Sequence, residues 1–279
     1  MVNGNVMAEC FWAKALRTTT PLKTHHSPLT VLCLILALAG PARAQDVQAL
    51  VRVYPEAIAG IDGNTLVWTD GTRMPIDDGR GAKPFATLLS APDIKDMFQM
   101  AYPAGRAGLA PAVDFDPGRV RNTALLDKLY GSCLAGTVAR GLVAVAWLPS
   151  RNGGKVMFQG AHGAADQLRR VSDDLDKLPD AFVKYLKPTA GTYNCRPIAG
   201  TKRLSAHGHG IAIDISTKHA HYWQWTNPDA SGAYPYRNEI PWEIVEIFEK
   251  HGFIWGGKWY HYDTMHFEYR PELLPLRAP

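Results

Sequence analysis

The 279-residue sequence has little cysteine and little net charge, with four cysteines and with 30 basic against 26 acidic side chains. It contains no internal repeat, no run of lysine and arginine and no recognised nucleic-acid module, so we expect no DNA or RNA partner. After residue 44, no apolar run reaches the roughly 20 residues that a membrane-spanning helix needs. These absences argue against a nucleic-acid-binding protein and against a membrane-spanning mature chain.

The first 44 residues have the pattern of a secretory signal peptide. Three basic residues precede an apolar run over residues 29–39, and Ala42 and Ala44 are small residues at the two positions that a signal peptidase reads. We therefore expect a mature chain that begins at Gln45 and is secreted or periplasmic. An uncleaved anchor and a later start codon are the alternatives.

Cysteine usage agrees with export. Cys10 and Cys33 lie in the leader, which leaves Cys133 and Cys195 in the mature chain. An even number of cysteines in an exported protein favours a disulfide. We predict that Cys133 and Cys195 are bonded, with two free buried thiols as the alternative.

Two short segments near the C-terminus carry the residue types of a catalytic zinc site: residues 205–214 read SAHGHGIAID and residues 263–268 read DTMHFE. A catalytic zinc ion usually keeps three protein ligands, often histidines with a carboxylate, and one open position for water. In each segment, apolar and polar residues alternate, which predicts a strand with a candidate ligand on its polar face. The predicted ligands of one Zn²⁺ ion are His207, Asp214 and His266. A hydrogen-bonded structural cluster is the alternative.

A wider pattern surrounds these ligands. Its residues, in order, are Ser205, His207, Gly210, Ala212 and Asp214, then WGGKW from Trp255, then DTMHFE from Asp263. This pattern resembles the M15 family of zinc peptidases, and several spaced matches in the right order are far more specific than one short motif. The family includes D-alanyl-D-alanine carboxypeptidases and dipeptidases and L-alanyl-D-glutamate endopeptidases. The resemblance implies an α+β fold with a mainly antiparallel sheet and flanking helices, as in DD-peptidases and the Hedgehog domain.

The resemblance also implies roles for two further residues. Asp263 stands at the position of the general base, which takes a proton from water and passes it to the leaving amine. The dipeptidase branch usually has Glu there, so Asp263 favours the endopeptidase branch. Arg196 is similar to the family's upstream arginine and is our candidate for stabilising the developing oxyanion, with Arg203 as the competing candidate. Other histidines, among them His261, match no family position, and we predict that they are not ligands.

The mature chain divides into two regions by pattern. Residues 45–130 are rich in turn signals and predict short strands over residues 61–68 and 72–76 and helices over residues 92–102 and 122–130. This region contains no group of residues that indicates chemistry. Capping of the catalytic domain, binding of cell-wall polymer and contact with a partner are its possible roles.

Residues 131–279 form the predicted M15-like zinc peptidase domain. Strands are predicted over residues 142–148 and 155–159, and a helix over residues 164–186 that Pro179 interrupts. A further helix is predicted over residues 241–251.

These patterns predict a zinc-dependent metallopeptidase that hydrolyses peptide bonds in peptidoglycan stem peptides, as a carboxypeptidase or an endopeptidase. A cell-wall binding protein that retains zinc without catalysis is the alternative, and a signalling module on the same scaffold is a third class. The export signal and the full set of candidate catalytic residues favour the enzyme.

Overall fold

The computed structural model describes residues 46–106, 110–198, 201 and 203–275. The predicted signal peptide lies outside these ranges. No helix within them is both long enough and apolar enough to cross a membrane.

The described chain is made of short helices and short strands. The helices are Gln48–Val53 (α1), Phe85–Ser90 (α2), Thr123–Tyr130 (α3), Ala164–Leu175 (α4), Val183–Leu186 (α5) and Trp242–Lys250 (α6). The strands are Ile58–Asp62 (β1), Thr65–Trp68 (β2), Arg73–Pro75 (β3), Leu142–Ala146 (β4), Lys155–Gln159 (β5), Ala212–Asp214 (β6), Phe253–Trp255 (β7) and His266–Tyr269 (β8). Their pairs are antiparallel and form the sheets β1–β2–β3, β4–β5 and β6–β8–β7.

The predicted α+β class is confirmed, but the expected sheet is divided into three small ones. Gln159, the last residue of β5, donates its backbone N–H to the carbonyl oxygen of Gly210. Gly210 has a φ of +70°, a conformation that favours glycine, and it turns the chain before β6 begins. Because the chain turns at Gly210, the hydrogen-bonded sheet of β4 and β5 does not continue into β6.

Two predictions for residues 45–130 are wrong in detail. The strand expected over residues 61–68 is two strands, because Gly63 and Asn64 form a turn between β1 and β2. The helix expected over residues 92–102 is a single 3-10 turn, Lys95–Phe98. Asp93 and Asp96 each accept the backbone N–H of the other, and this local bonding favours a capped turn over a longer helix.

The other predicted elements are present. Asn122 caps α3 by accepting the backbone N–H of Leu125 at 2.9 Å. The predicted long helix ends at Leu175, before Pro179, and α5 follows as a separate element. The predicted helix over residues 241–251 is α6, which begins directly after Pro241.

One hydrophobic core joins the two regions that the sequence divides at residue 130. Leu50, Ile58 and Leu125 are buried in the same cluster as Val145 and Phe248. The domain boundary at residue 131 stays a sequence-based prediction. In the structure, buried residues from both regions pack into the same core.

A disulfide links Cys133, shortly after α3, to Cys195, with the Cα atoms 5.6 Å apart. The predicted pairing is therefore confirmed. The bond ties the start of the second region to the segment that precedes His207.

The register of β6 and β8 places two predicted ligands side by side. Asp214 pairs with His266, and Ala212 pairs with Glu268. Residues directly opposite each other in an antiparallel pair project to the same face, with Cβ atoms about 4.5–5.5 Å apart. The Asp214 and His266 side chains therefore meet at one end of this pair.

Candidate metal centre

Three side chains converge where β6 ends and β8 begins. His207 Nε2 lies 3.2 Å from Asp214 Oδ1, and His266 Nδ1 lies 2.8 Å from the same oxygen. The two imidazole nitrogens are 3.2 Å apart. Both histidines are buried and Asp214 is half-buried. The structure thus brings together the three residues that the sequence pattern predicts as ligands.

The other nitrogen of each imidazole has a partner that orients the ring. His207 Nδ1 bonds the carbonyl oxygen of Thr192, and His266 Nε2 bonds Glu268 Oε1 at 2.9 Å. A carbonyl or carboxylate at this nitrogen is the usual arrangement behind a metal-binding histidine, because it sets the tautomer and the ring orientation. Nε2 of His207 and Nδ1 of His266 are therefore the nitrogens that face a metal ion.

The spacing of the three facing atoms fits zinc. Ligand atoms about 2.0 Å from a tetrahedral zinc ion lie about 3.3 Å from one another. The observed separations are 2.8 to 3.2 Å. Two histidines with one carboxylate are also a donor set of zinc hydrolases, which leave a fourth position for water. The residues therefore fit a catalytic zinc ion.

In the metal-free protein a proton occupies part of this site. Burial alone would lower the pKa of His266, but its hydrogen bonds with Asp214 and Glu268 raise that pKa to about 10. Burial alone would raise the pKa of Asp214, but the charges and hydrogen bonds of His207 and His266 hold it well below its usual range. At neutral pH, the His266 imidazolium donates to the Asp214 carboxylate, and a metal ion would replace that proton.

A tight turn brings His207 to the end of β6. Ser205 Oγ accepts the backbone N–H of His207 at 3.4 Å and caps the 3-10 turn Ala206–His209. Gly210 ends this turn, and a Cβ atom there would lie 2.7 Å from Leu142 Cδ2. Glycine at this position therefore satisfies both the positive φ and the close packing.

Asp263 lies in the turn before β8, next to the three candidate ligands. Its backbone N–H donates to Gly256 O at 3.0 Å, and its carbonyl oxygen accepts the N–H of His266 at 3.2 Å. Its Oδ1 is buried and has no hydrogen-bond partner among the described residues. Burial raises the pKa of the Asp263 carboxyl above its ordinary value. A carboxylate in this condition can accept a proton near neutral pH.

A comparison with protein families covers this part of the chain. Residues 199–269 match the M15 peptidase model that is described as D-alanyl-D-alanine carboxypeptidase. We call residues 199–269 the M15 segment, after the family to which they are similar. The resemblance seen in the sequence is confirmed there, and the segment includes the three candidate ligands and Asp263. A comparison with curated proteins gives no match.

The candidate ligands His207, Asp214 and His266 line a cavity of about 240 Å³. Tyr222 and Trp225 line it, and Trp225 exposes 62 % of its surface. The cavity therefore has an aromatic wall that reaches solvent beside the metal centre.

The two candidate arginines occupy different places. Arg196 is exposed and lines the cavity, and its Nη1 donates a hydrogen bond to the carbonyl oxygen of Pro197 at 3.4 Å. Arg203 is half-buried and lines a neighbouring cavity instead. Burial, together with the charges of Arg121 and Arg119, lowers the pKa of Arg203 to about 10. The geometry therefore favours Arg196 over Arg203 for contact with a substrate.

The structure adds a charged group to the cavity that the sequence pattern missed. Asp116 is fully buried and accepts hydrogen bonds from Arg119 Nη1 at 3.0 Å and from the His261 backbone N–H at 3.0 Å. The Asp116 carboxylate also bonds His261 Nδ1 at 2.8 Å. Arg119 and His261 both line the cavity, as does Arg121. No short-range pattern marks these residues, because Asp116 and His261 are 145 residues apart in the sequence.

The two tryptophans of the WGGKW run differ in surroundings. Trp255 is fully buried, stacks on Phe267 and donates Nε1–H to Thr264 O at 2.9 Å, so it packs in the core. Trp259 is buried too, but it lines the cavity and its ring lies 5.6 Å from the His266 ring. It therefore forms part of the wall behind a ligand.

A second acidic group, in the first region, is already neutralised by lysines. Lys83 Nζ lies 2.8 Å from Asp78 and 2.9 Å from Asp93, and Lys95 Nζ lies 2.6 Å from Asp77. Each of the three carboxylates has an ammonium partner, so this group is an ion-pair cluster.

Proposed function

We propose that this chain is a zinc-dependent peptidase that hydrolyses peptide bonds in bacterial peptidoglycan stem peptides. The observation that carries the proposal is that His207, Asp214 and His266 line one open cavity with Asp263, whose buried Oδ1 has no hydrogen-bond partner among the described residues. The match of the same segment to M15 peptidases supports the substrate class.

Each of these residues has a task in hydrolysis. His207, Asp214 and His266 would hold zinc, which when bound supplies an activated water and polarises the scissile carbonyl. Asp263 accepts a proton from the water at its carboxylate and donates it to the leaving amine nitrogen as the C–N bond breaks. Arg196 donates hydrogen bonds to the substrate oxygen that gains negative charge.

The disulfide supports a location outside the cytoplasm. Cys133 and Cys195 are bonded, and such bonds persist in oxidising compartments. Together with the predicted signal peptide, this favours a secreted or periplasmic enzyme, which is where peptidoglycan is accessible.

Two features point to different bonds within the stem peptide. The matched family model is described as D-alanyl-D-alanine carboxypeptidase. Asp rather than Glu at position 263 favours an endopeptidase. The carboxypeptidase needs a group that binds the terminal carboxylate of its substrate, and Arg196 at the cavity wall is able to do so.

Mass spectrometry of purified muropeptides tests the proposal. The mature protein is incubated with them in the presence of zinc or of a chelator, and a His266→Ala variant serves as a control with a ligand removed. Chelator-sensitive loss of a terminal D-alanine identifies a carboxypeptidase, and a chelator-sensitive internal cut identifies an endopeptidase. Absence of any cleavage despite bound zinc would contradict the proposal and support a non-catalytic cell-wall binding protein.

A further inference from the structure

Glu268 is a fully buried carboxylate beside a candidate metal ligand. Its Oε1 accepts a hydrogen bond from His266 Nε2 at 2.9 Å, and its Oε2 accepts one from Arg121 Nε at 3.0 Å. Arg121 Nη2 also pairs with Oε1, so the guanidinium engages both oxygens. Arg270 Nη1 stands 3.5 Å from Oε2. Glu268 therefore connects Arg121 to His266.

Arg121 reaches this site from a distant part of the chain. It lies 147 residues from Glu268, just before α3, outside the matched M15 segment, and only 9 % of its side chain is exposed. The guanidinium carbons of Arg119 and Arg121 lie 5.7 and 5.8 Å from the centre of the Trp259 ring. Trp259 in turn lies against His266. Arg121 therefore contacts two groups that touch His266.

The direction of His266 Nδ1 depends on how the ring is held at Nε2. A buried carboxylate without further partners could rotate about its last side-chain bond. Its negative charge would also be uncompensated, and burying an uncompensated charge costs free energy. A guanidinium that binds both oxygens sets the plane of the carboxylate and compensates its charge, because the fork of arginine matches carboxylate geometry. Loss of a group that orients a metal-binding histidine typically costs about 10–100-fold in metal affinity.

We propose that Arg121 is a positioning residue of the metal centre, which through Glu268 holds His266 with Nδ1 directed at Asp214. The inference rests on the proposed function only in taking His207, Asp214 and His266 as the metal site. It gives residues 45–130 a role that their sequence does not indicate. They complete a site whose ligands all lie in the M15 segment.

Zinc affinity, measured by competition with a chromophoric chelator, tests this role in four proteins. These are the wild type, Arg121→Gln, Glu268→Gln and the double variant. We expect Arg121→Gln to bind zinc about 10–100-fold more weakly than the wild type. In the Glu268→Gln background the same change should alter affinity less than about threefold, because the two residues act in series. Equal affinity of Arg121→Gln and the wild type, or losses that multiply in the double variant, would overturn the proposal.

Arg151→Gln is the matched control. Arg151 is also a largely buried arginine, which donates to Asp180 Oδ1 at 2.5 Å and to Leu178 O at 2.6 Å, and it does not line the cavity. Its loss should leave zinc affinity unchanged. The visible spectrum of the Co²⁺-loaded protein gives a second readout, which should change in Arg121→Gln and not in Arg151→Gln.

If Arg121→Gln does not fold, zinc affinity is measured in Arg121→Lys instead. Lysine keeps the charge but offers a single ammonium in place of the fork, so its zinc affinity should lie below that of the wild type. Wild-type zinc affinity in Arg121→Lys would overturn the proposal that the two-nitrogen contact of Arg121 with Glu268 positions His266. Because zinc is measured without peptide, a wild type that binds zinc but cleaves no muropeptide refutes the proposed function alone.

Discussion

Asp263 differs from the other acidic residues around the cavity in its hydrogen bonding. Asp116, Asp214 and Glu268 all accept hydrogen bonds from neighbouring arginines or histidines. Asp263 keeps a buried oxygen with no partner among the described residues. An unsatisfied buried carboxylate oxygen costs free energy, and beside the candidate ligands this favours the proposed role of Asp263 as a group that binds water or substrate.

Asp263→Asn tests this assignment, because asparagine keeps the shape and removes the proton acceptor. We expect turnover of muropeptides to fall about 10²–10⁴-fold while zinc affinity is retained. Asp127→Asn is the matched control, since Asp127 also buries an oxygen that has no hydrogen-bond partner among the described residues but lies on α3, outside the cavity. Wild-type turnover in Asp263→Asn would exclude Asp263 as the base.

His266 makes zinc binding depend on pH. Its raised pKa, about 10 in the metal-free protein, means that the imidazole carries a proton at pH 7 and must release it before Nδ1 can bind a metal. Apparent zinc affinity should therefore rise about tenfold per pH unit between about pH 8 and 9, because the His266 proton competes with the metal throughout that range. The pKa of Asp214 is lowered, so this carboxylate stays ionised there and adds no further dependence.

Titration calorimetry in two buffers of different ionisation enthalpy measures that proton directly. The apparent binding enthalpy at pH 7 should differ between the buffers by the release of about one proton for each zinc ion bound. Identical enthalpies would show that His266 is already neutral before the metal arrives.

At the scale of single elements, the site depends on the turn that precedes the short strand β6. The 3-10 turn that carries His207 is followed by Gly210 and then by β6, which is only three residues long. A strand of this length has few hydrogen bonds of its own, so the turn and the pairing with β8 determine where its side chains point.

Gly210→Ala should disturb this turn more than the same change elsewhere. Both Gly210 and Gly163 have a φ near +70°, but an added Cβ would meet Leu142 at 2.7 Å in the first case and nothing within 4 Å in the second. We expect Gly163→Ala to cost about 1 kcal/mol of unfolding free energy from backbone strain alone. Gly210→Ala should cost about 1–3 kcal/mol more from overpacking and should weaken zinc binding.

Urea unfolding of the metal-free variants and chelator competition measure these two effects. Equal unfolding midpoints for Gly163→Ala and Gly210→Ala would show that Leu142 moves aside without cost.

At the scale of the whole molecule, one core and one disulfide connect distant parts of the chain. The core includes residues on both sides of position 130, and the disulfide closes a separation of 62 residues. Asn194, next to Cys195, donates its backbone N–H to His207 O at 3.1 Å. The disulfide therefore restrains the segment that is hydrogen-bonded to the candidate ligand His207.

Replacing both cysteines by serine should lower the unfolding free energy by about 2–4 kcal/mol, because the unfolded chain gains the entropy of an open loop. The midpoint of urea unfolding measures the loss, with the metal removed from both proteins. A reductant should lower the wild-type midpoint to the value of the double variant and leave the variant itself unchanged. A double variant as stable as the oxidised wild type would contradict this contribution.

The sequence alone indicated the features that depend on short-range pattern. Alternation of apolar and polar residues located the strands around Asp214 and His266. Pro179 marked the interruption of a helix because its effect on the backbone is local. The disulfide was predicted because the mature chain has two cysteines and the protein is expected to be exported.

Tertiary structure alone decided which charges surround those ligands. Alternation placed Glu268 on a polar face of β8, but that face is buried because Arg121 comes from 147 residues away to compensate it. Asp116 and His261 likewise meet only in the fold. A charged side chain can be buried when a partner compensates it, and the partner's identity depends on how the whole chain packs. Local periodicity therefore determined the candidate ligands, and long-range packing determined the charged groups that orient them.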